Sequence, residues 1–242
     1  MNLLATFLQR AILQGVPILY GASGEILTEK SGNLNLGIPG IMYMGGVSGL
    51  IAAFFYERAA GERASGLVGL FLSLAAALLI SMLAGLLYSF LTVTLRANQN
   101  VVGLSLTTFG VGFGNFFGGS LSQLAGGVGQ ISTKLTAAAY RQSLPGLSKL
   151  PFVGKAFFSF GFLTYFSIIL ALCLAFLLTG TRKGLEIRAV GEDPAAADAA
   201  GVDVNRVKYV STVLGAALAG LGGLCFVMEY LGGTWANDGF GD

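Results

Sequence analysis

The sequence predicts an all-α membrane protein: a polytopic bundle of about six transmembrane helices with one short helix outside the membrane. Of its 242 residues, 54% are hydrophobic and 11% are charged, whereas globular proteins carry roughly 25% charged residues. So few charges cannot cover a soluble surface. The mean hydropathy of +0.75 and the recurrence of long apolar stretches support the same conclusion, and we treat residues 1–242 as a single transmembrane domain.

Six stretches are long enough to cross a membrane, because a transmembrane helix needs about 20 mainly apolar residues. If all six cross, the 14 lysine and arginine residues divide equally between the two sides, so the positive-inside rule assigns no orientation. This equal division of the basic residues leaves open that one stretch is re-entrant. The stretches lie near residues 8–27, 36–55, 67–93, 101–121, 158–178 and 207–231.

Small residues recur at every fourth position in several of these stretches. Such spacing places them on one helix face, where they let helix backbones approach closely. The pattern is explained either by tight packing alone or by a bundle of helices that moves around a pathway. The residues predicted for helix packing are Gly110, Gly114, Gly118, Gly215, Ala219 and Gly223.

Uncharged polar residues occur where the chain is predicted to lie within the membrane or at its edge. Amide side chains offer both donors and acceptors, which suits a neutral polar solute, and broken backbone at this depth is tolerated where it lines a cavity. A polar turn at the interface, or structural hydrogen bonds between helices, would also explain them. The candidate residues for a solute pathway are Asn33, Asn35, Asn98, Thr107 and Asn115.

Three of these amides, on Asn33, Asn35 and Asn115, are expected to face a polar cavity. The charged residue Glu229, near the end of the last apolar stretch, is expected to reach the membrane interface instead. A pathway lined mostly by uncharged groups disfavours an ion pump or a proton relay.

The residue types that most enzymes need are missing or isolated. The chain contains no histidine, which removes the commonest general base and metal ligand. Its two cysteines, Cys173 and Cys225, lie in apolar stretches and indicate neither a disulfide nor a metal site. The sequence has no phosphate-binding G-x-x-x-x-G-K-[ST] loop, and a net charge of +2 gives no case for nucleic acid. We therefore predict no catalytic residue and no metal site, and uphill transport would need energy from a partner or an ion gradient.

One polar segment between the last two apolar stretches has the signals of a well-capped helix. Asp193 suits an N-cap, Pro194 the first helical position and Gly201 the residue after the C-terminus, with about two turns of alanine-rich helix between them. A capped helix outside the membrane predicts a docking element for another protein. A polar loop resting on the membrane surface is the alternative.

Three segments, residues 25–46, 96–106 and 184–223, together resemble the permease subunits of ABC importers. Three shorter motifs carry the resemblance: residues 31–37 (SGNLNLG), 95–103 (LRANQNVVG) and 184–202 (GLEIRAVGEDPAAADAAGV). They are similar to the branch for simple sugars and nucleosides, which is related to branched-chain amino acid permeases, and they fit its nucleoside type better than its ribose type. The resemblance implies a multi-pass subunit of the cytoplasmic membrane that translocates a small polar solute, by preference a nucleoside. A simple-sugar permease, and a stand-alone channel or secondary carrier, are the alternatives.

The resemblance also implies partners. The capped helix would lie in the cytoplasm and dock into a separate ABC ATPase subunit, which would use ATP and Mg, while this chain would bind no cofactor directly. A second permease subunit, an extracytoplasmic solute-binding protein and the lipid bilayer would complete the assembly. Members of the family usually continue beyond the segment that residues 239–242 form, so we expect this chain to be C-terminally truncated relative to them. The residues implied in ATPase coupling are Arg188, Gly191, Glu192, Asp193, Pro194, Ala196, Ala197 and Gly201.

Overall fold

The computed structural model describes residues 2–124, 131–142 and 159–235. Within these ranges the chain is mostly helical, as predicted. The α-helices are α1 Asn2–Lys30, α2 Ile38–Ala60, α3 Gly66–Ser89, α4 Gln99–Leu124, α5 Lys134–Tyr140, α6 Phe162–Gly180, α7 Arg182–Glu192, α8 Pro194–Ala199 and α9 Val204–Cys225.

Short segments extend or join these helices. A 3₁₀ turn, Gly61–Arg63, follows α2, and π-helical segments, Phe90–Thr94 and Phe226–Tyr230, extend α3 and α9. Two strands, β1 Ile131–Ser132 and β2 Thr234–Trp235, pair antiparallel.

Five helices of the described ranges are long and apolar enough to cross a membrane. They correspond to five of the six predicted stretches and confirm the polytopic all-α fold. The helix α1 covers the remaining stretch and is 29 residues long, but it carries polar side chains such as Gln9, Gln14 and Glu25. The five spans are Ile38–Arg63, Gly66–Thr94, Gln99–Gly119, Phe162–Gly180 and Val204–Tyr230.

The helix α9 lies at the centre of the bundle. Its apolar stretch is 72% buried within the chain, against 61% for that of α2 and 22–28% for those of α3, α4 and α6. The helices α1, α2 and α3 all pack along α9, whereas α4 packs mainly on α2, and α6 on α1 and α7. Each of α3, α4 and α6 therefore turns one face away from the chain.

Small residues bring the central helices together backbone to backbone. Gly215 on α9 faces Gly24 on α1, so closely that a Cβ at either position would meet the other residue's carbonyl oxygen. Gly223 lies in the same way against the carbonyl of Met42 on α2, and Ala219 between them is fully buried. A larger side chain at these positions would push α9 away from its neighbours.

The glycines predicted as a packing stripe on α4 also make close contacts. Gly110 faces Gly40 on α2, and a Cβ on Gly40 would lie 2.5 Å from the carbonyl oxygen of Leu106. Further along α4, Gly114 contacts the ring of Tyr43, and Gly118 contacts that of Trp235.

The bundle has two distinct ends. One carries α7 and α8, and we call it the helix-pair end; the opposite one carries α5 and the two strands, and we call it the strand end. Glu229 lies at the strand end, and its side chain is only 2% exposed, so the expectation that it reaches the interface is wrong. Its carboxylate accepts hydrogen bonds from the N–H of Leu163 (2.9 Å) and the hydroxyl of Thr164 (2.7 Å). It thereby caps α6, whose own N-cap residue, Gly161, has no side chain to do so.

Candidate functional site: a capped helix pair and a polar turn

The short helix α8 begins as its sequence predicts. The Oδ1 atom of Asp193 accepts hydrogen bonds from the N–H groups of Ala195 (3.0 Å) and Ala196 (3.1 Å), and Pro194 occupies the first helical position. These bonds satisfy N–H groups that have no partner inside the helix. The N-terminus of α8 is therefore fixed by local bonds alone.

The C-terminus of α8 is closed by a Schellman motif. Gly201 adopts a positive φ of 84°, which favours glycine. Its N–H donates to the carbonyl of Asp198 (2.9 Å), and the N–H of Val202 donates to that of Ala197 (3.0 Å). Both ends of the predicted helix are thus confirmed.

The connections on either side of α7 are equally tight. The hydroxyl of Thr181 accepts a hydrogen bond from the N–H of Gly184 (3.0 Å) and donates to the carbonyl of Leu177 on α6 (2.7 Å). Asp193 alone separates α7 from α8, and its N–H donates to the carbonyl of Ala189 (3.0 Å). The helices α6, α7 and α8 therefore follow one another without a long loop, and local hydrogen bonds close each junction.

The outer surface of the helix pair α7–α8 is a shallow apolar groove with acidic edges. The groove has a volume of about 390 Å³ and is lined by Leu185, Ala189 and Ala196, with Glu186 and Glu192 at its edge. Leu185 is 60% exposed and gives the groove a large apolar side chain for contact. A second groove, of about 510 Å³, lies between α7 and the start of α9.

The inner surface of the helix pair rests on the end of α1. Val190 is fully buried, and a Cβ on the adjacent Gly191 would meet the carbonyl oxygen of Lys30. Gly32, which follows α1 with a φ of 84°, lies against the same glycine: a Cβ there would be 3.3 Å from the Cα of Gly191. The helix pair and the end of α1 are therefore in direct backbone contact.

Residues 31–37 form a compact polar turn between α1 and α2. Within it, the side chain of Asn35 accepts a hydrogen bond from the N–H of Gly37 (2.9 Å), and the backbone N–H of Asn35 donates to the carboxylate of Glu25 on α1 (2.9 Å). The amide of Asn33 donates to the hydroxyl of Thr212 on α9 (3.0 Å). The turn is thus bonded to two of the helices that the helix pair contacts.

Two further helices bond to the same turn. The side chain of Gln99, the first residue of α4, accepts from the N–H of Leu34 (2.9 Å) and donates to the carbonyl of Gly32 (3.2 Å). The hydroxyl of Tyr88, at the end of α3, donates to the carbonyl of Leu34. The polar turn is therefore a junction of α1, α3, α4 and α9, directly beneath the helix pair.

Comparison with known proteins identifies the class to which this bundle belongs. A family described as the permease component of the branched-chain amino acid transport system matches residues 7–241. The chain belongs to this permease family. With five apolar spans it is a multi-pass protein of the cytoplasmic membrane. No solved structure matches this permease.

Relatives of the permease include transporters of more than one solute. It is 30% identical to the guanosine ABC transporter permease protein NupQ of Bacillus subtilis, over 99% of this chain and 73% of that one. It is 31% identical to the nucleoside ABC transporter permease protein NupC of Lactococcus lactis, over 99% and 74%. It is also 30% identical to the putative glucose ABC transporter permease protein TsgC13 of Haloferax volcanii, over 92% of this chain and 63% of that one.

The structure does not bring the five predicted pathway residues of the permease together. Asn33 and Asn35 are each 1% exposed; Asn33 bonds to Thr212 on α9 and to Gln99 on α4, and Asn35 to the N–H of Gly37. Their role in a polar cavity stays a prediction. Asn98 caps α4 by accepting from the N–H of Asn100 and of Val101. The side chains of Asn33 and Asn98 thus have structural partners, whereas the buried Nδ2 atom of Asn35 has no hydrogen-bond partner among the described residues.

The two pathway candidates inside α4 point in different directions. The hydroxyl of Thr107 donates to the carbonyl of Leu36 (2.7 Å), so this side chain turns towards the polar turn. Thr108, one residue and about 100° further round the helix, is exposed, and so is Asn115. Of the five predicted residues, Asn115 alone has a side chain on the outward face of α4.

The residues implied in coupling divide between the two surfaces of the helix pair. Gly191 contacts α1 and therefore faces the permease itself, whereas Ala197, although only 4% exposed, lies at the floor of the outer groove. Arg188 is half-buried, and its Nε has no hydrogen-bond partner among the described residues. The exposed members are Glu192, Asp193, Pro194, Ala196 and Gly201.

Four residues of the junction are absent from the predicted site. Gln99 lies inside the segment 95–103, so its position in that motif was an available signal. Glu25 and Thr212 lie in the longer segments 25–46 and 184–223 that resemble the family but outside the three motifs, and Tyr88 lies outside both. All three reach the turn through the packing of separate helices.

Proposed function

We propose that this permease is the membrane-spanning subunit of an ABC importer that moves a nucleoside, or a similar small polar solute, into the cell with energy from ATP hydrolysed by a partner subunit. The observation that carries the proposal is the capped helix pair, which is exposed on one side and in backbone contact with α1 on the other. The names of two relatives, a guanosine and a nucleoside permease, support the choice of solute.

The groove on the helix pair suits a partner with an apolar ridge and basic neighbours. Leu185 and Ala196 offer apolar contact, and Glu192 and Asp193 border them with negative charge. Glu186, also at the edge, is paired with Lys183 (2.7 Å). An ATPase subunit bound here would use ATP and Mg at its own site and move the helix pair. The stiff caps of α8 suit this role, because a flexible loop would absorb the movement.

The outward face of α4 suits a solute pathway. Every exposed residue of α3 from Leu67 to Leu87, and of α6 from Phe162 to Leu177, is apolar or cysteine, as expected of surfaces that face lipid. On α4, by contrast, the amide of Asn115 is exposed, next to Gly112 and to Thr108, whose hydroxyl donates to the carbonyl of Leu104 (3.1 Å). A polar side chain in contact with lipid is costly, so we place this face against water or a second permease subunit. An extracytoplasmic solute-binding protein would then deliver the solute at the strand end.

Uptake by the assembled complex tests the proposed solute. The permease is reconstituted in liposomes with an ATPase subunit and a solute-binding protein, and the uptake of labelled guanosine and labelled glucose is measured. We expect ATP-dependent uptake of guanosine that unlabelled nucleosides inhibit and glucose does not. Uptake of glucose alone would favour the sugar permease that a third relative suggests, and uptake without any ATPase subunit would favour a stand-alone carrier.

A substitution in the groove tests the docking surface. Ala196→Asp places a charge in the apolar groove and should strongly reduce co-purification of the ATPase subunit. Ala195→Asp is the matched control, because Ala195 is exposed in the same first turn of α8 but does not line the groove. An acidic residue is favourable near a helix N-terminus, so neither change should unfold α8. Wild-type recovery of the ATPase with Ala196→Asp would contradict the assigned surface.

A further inference from the structure

We infer that Gln99 is a positioning residue through which movement of the helix pair reaches α4, the helix with the polar outward face. The inference rests on the proposed function, because it requires a partner that moves α7 and α8. It goes further by assigning the transmission to one side chain. Three contacts carry it: from α7 to α1, from α1 to the polar turn, and from the turn to α4.

The first contact, from α7 to α1, is a close packing of backbone on backbone. Gly191 near the end of α7 lies against the carbonyl of Lys30 and the backbone of Gly32, and the neighbouring Val190 is fully buried. Close-packed backbones transmit displacement rather than absorb it. A shift of the end of α7 therefore displaces the end of α1.

The polar turn then moves with α1, because its first residues are bonded to the last turn of that helix. The N–H groups of Ser31 (3.1 Å) and Asn33 (3.2 Å) both donate to the carbonyl of Thr28, and that of Gly32 donates to Glu29 (2.8 Å). The hydroxyl of Ser31 also donates to Thr28 (2.7 Å). The turn behaves as a continuation of α1.

Gln99 connects this turn to α4. The oxygen of its amide accepts a hydrogen bond from the N–H of Leu34 (2.9 Å). The nitrogen donates to the carbonyl of Gly32 (3.2 Å) and, over a longer distance, to the side-chain oxygen of Asn33 (3.4 Å). Residues 95–98, which precede α4, are not helical, and Arg96 has a φ of 54°. The start of α4 is therefore not held by helical continuity with α3. The amide of Gln99 bonds it to the turn, and one helical turn further on Gly103 packs against the backbone of Leu36 and Gly37.

Gln99 lies at the N-terminal end of a longer contact between α4 and the segment that joins the turn to α2. Gly103 packs against the backbone of Leu36 and Gly37, and Gly110 packs against Gly40, 11 residues from Gln99, or about 16 Å along the helix. A displacement of the turn therefore reaches α4 at its N-terminal end, where the amide of Gln99 bonds to the turn, and moves the helix that carries Asn115.

Loss of the amide should uncouple ATP hydrolysis from transport. Gln99→Leu removes the three hydrogen bonds while keeping a side chain of similar size. In the assembled complex we expect wild-type co-purification of the ATPase subunit and most of its ATP hydrolysis. Solute uptake per ATP should fall at least about tenfold, because three hydrogen bonds to the turn are lost. The matched control is Gln14→Leu, because the amide of Gln14 bonds to Tyr230 at the strand end (2.7 Å), far from the turn.

The remaining outcomes separate this inference from the function on which it rests. An unchanged ratio of uptake to ATP in Gln99→Leu overturns the inference. Loss of assembly, hydrolysis and thermal stability together also overturns it, since the residue would then be merely structural. Gln99→Glu keeps an acceptor for Leu34 but loses the donor to Gly32, and an intermediate ratio in that variant supports the assignment. If the wild-type permease itself binds no ATPase subunit, the proposed function fails before Gln99 is tested.

Discussion

Gly191 is the position where a single methyl group should separate the helix pair from the bundle. In Gly191→Ala the new Cβ would meet the carbonyl oxygen of Lys30 at well under 3.0 Å, whereas ordinary contact begins at 3.4 Å. The end of α7 would have to retreat by roughly 1 Å, and overpacking of this kind typically costs about 1–3 kcal/mol. For a chain of this size that cost corresponds to a fall of roughly 3–9 °C in Tm.

Gly15→Ala is the matched control for this substitution. Gly15 lies within α1, and a Cβ there would have nothing within 4 Å. Both changes gain about the same helix propensity, up to about 1 kcal/mol, so the difference between them isolates the contact with Lys30. We expect thermal unfolding in detergent to rank Gly15→Ala at or above the wild type and Gly191→Ala below it. Equal Tm values for the two variants would refute the backbone contact between α7 and α1.

Two further predictions concern the outward face of α4 and the strand end. In a Cys173→Ser background, Asn115→Cys should react with a water-soluble thiol reagent in the assembled complex. Leu172→Cys, on the lipid-facing side of α6, should not react. Equal protection of both cysteines would show that α4 faces lipid. Glu229→Ala should destabilise the permease by about 1–3 kcal/mol, because it leaves the buried N-terminus of α6 without acceptors, while Glu229→Gln keeps one acceptor and should cost less. Indistinguishable thermal stability of the two variants and the wild type would show that the carboxylate does not cap α6.

The sequence predicts the features that depend on local patterns. The apolar spans follow from length and composition, and the caps of α8 follow from Asp193, Pro194 and Gly201, because each cap bond joins residues at most five positions apart. Gln99 shows the limit of such reasoning. Its partner Leu34 is 65 positions away, and no spacing rule connects residues at that distance.

A single sequence also does not show which face of a helix packs against the rest of the bundle. Ala196 and Ala197 are adjacent and chemically identical, yet Ala197 is buried and Ala196 is exposed, because α8 packs on one side only. Thr107 and Thr108 differ in the same way on α4. For Glu229, the sequence predicts a charged side chain at the membrane interface. In the structure this carboxylate is buried and accepts hydrogen bonds from Leu163 and Thr164 of α6. Tertiary contacts decide all three cases.

The glycine pairs Gly24–Gly215 and Gly40–Gly110 have a consequence for how the permease can vary. In an ordinary core contact, a larger residue on one side can be offset by a smaller one on the other. Here both partners already have the smallest side chain, so no second-site change at the facing position can restore the fit. Suppressors of a substitution at Gly24 or Gly110 should therefore not be found at Gly215 or Gly40. They would have to lie elsewhere and change the distance between whole helices.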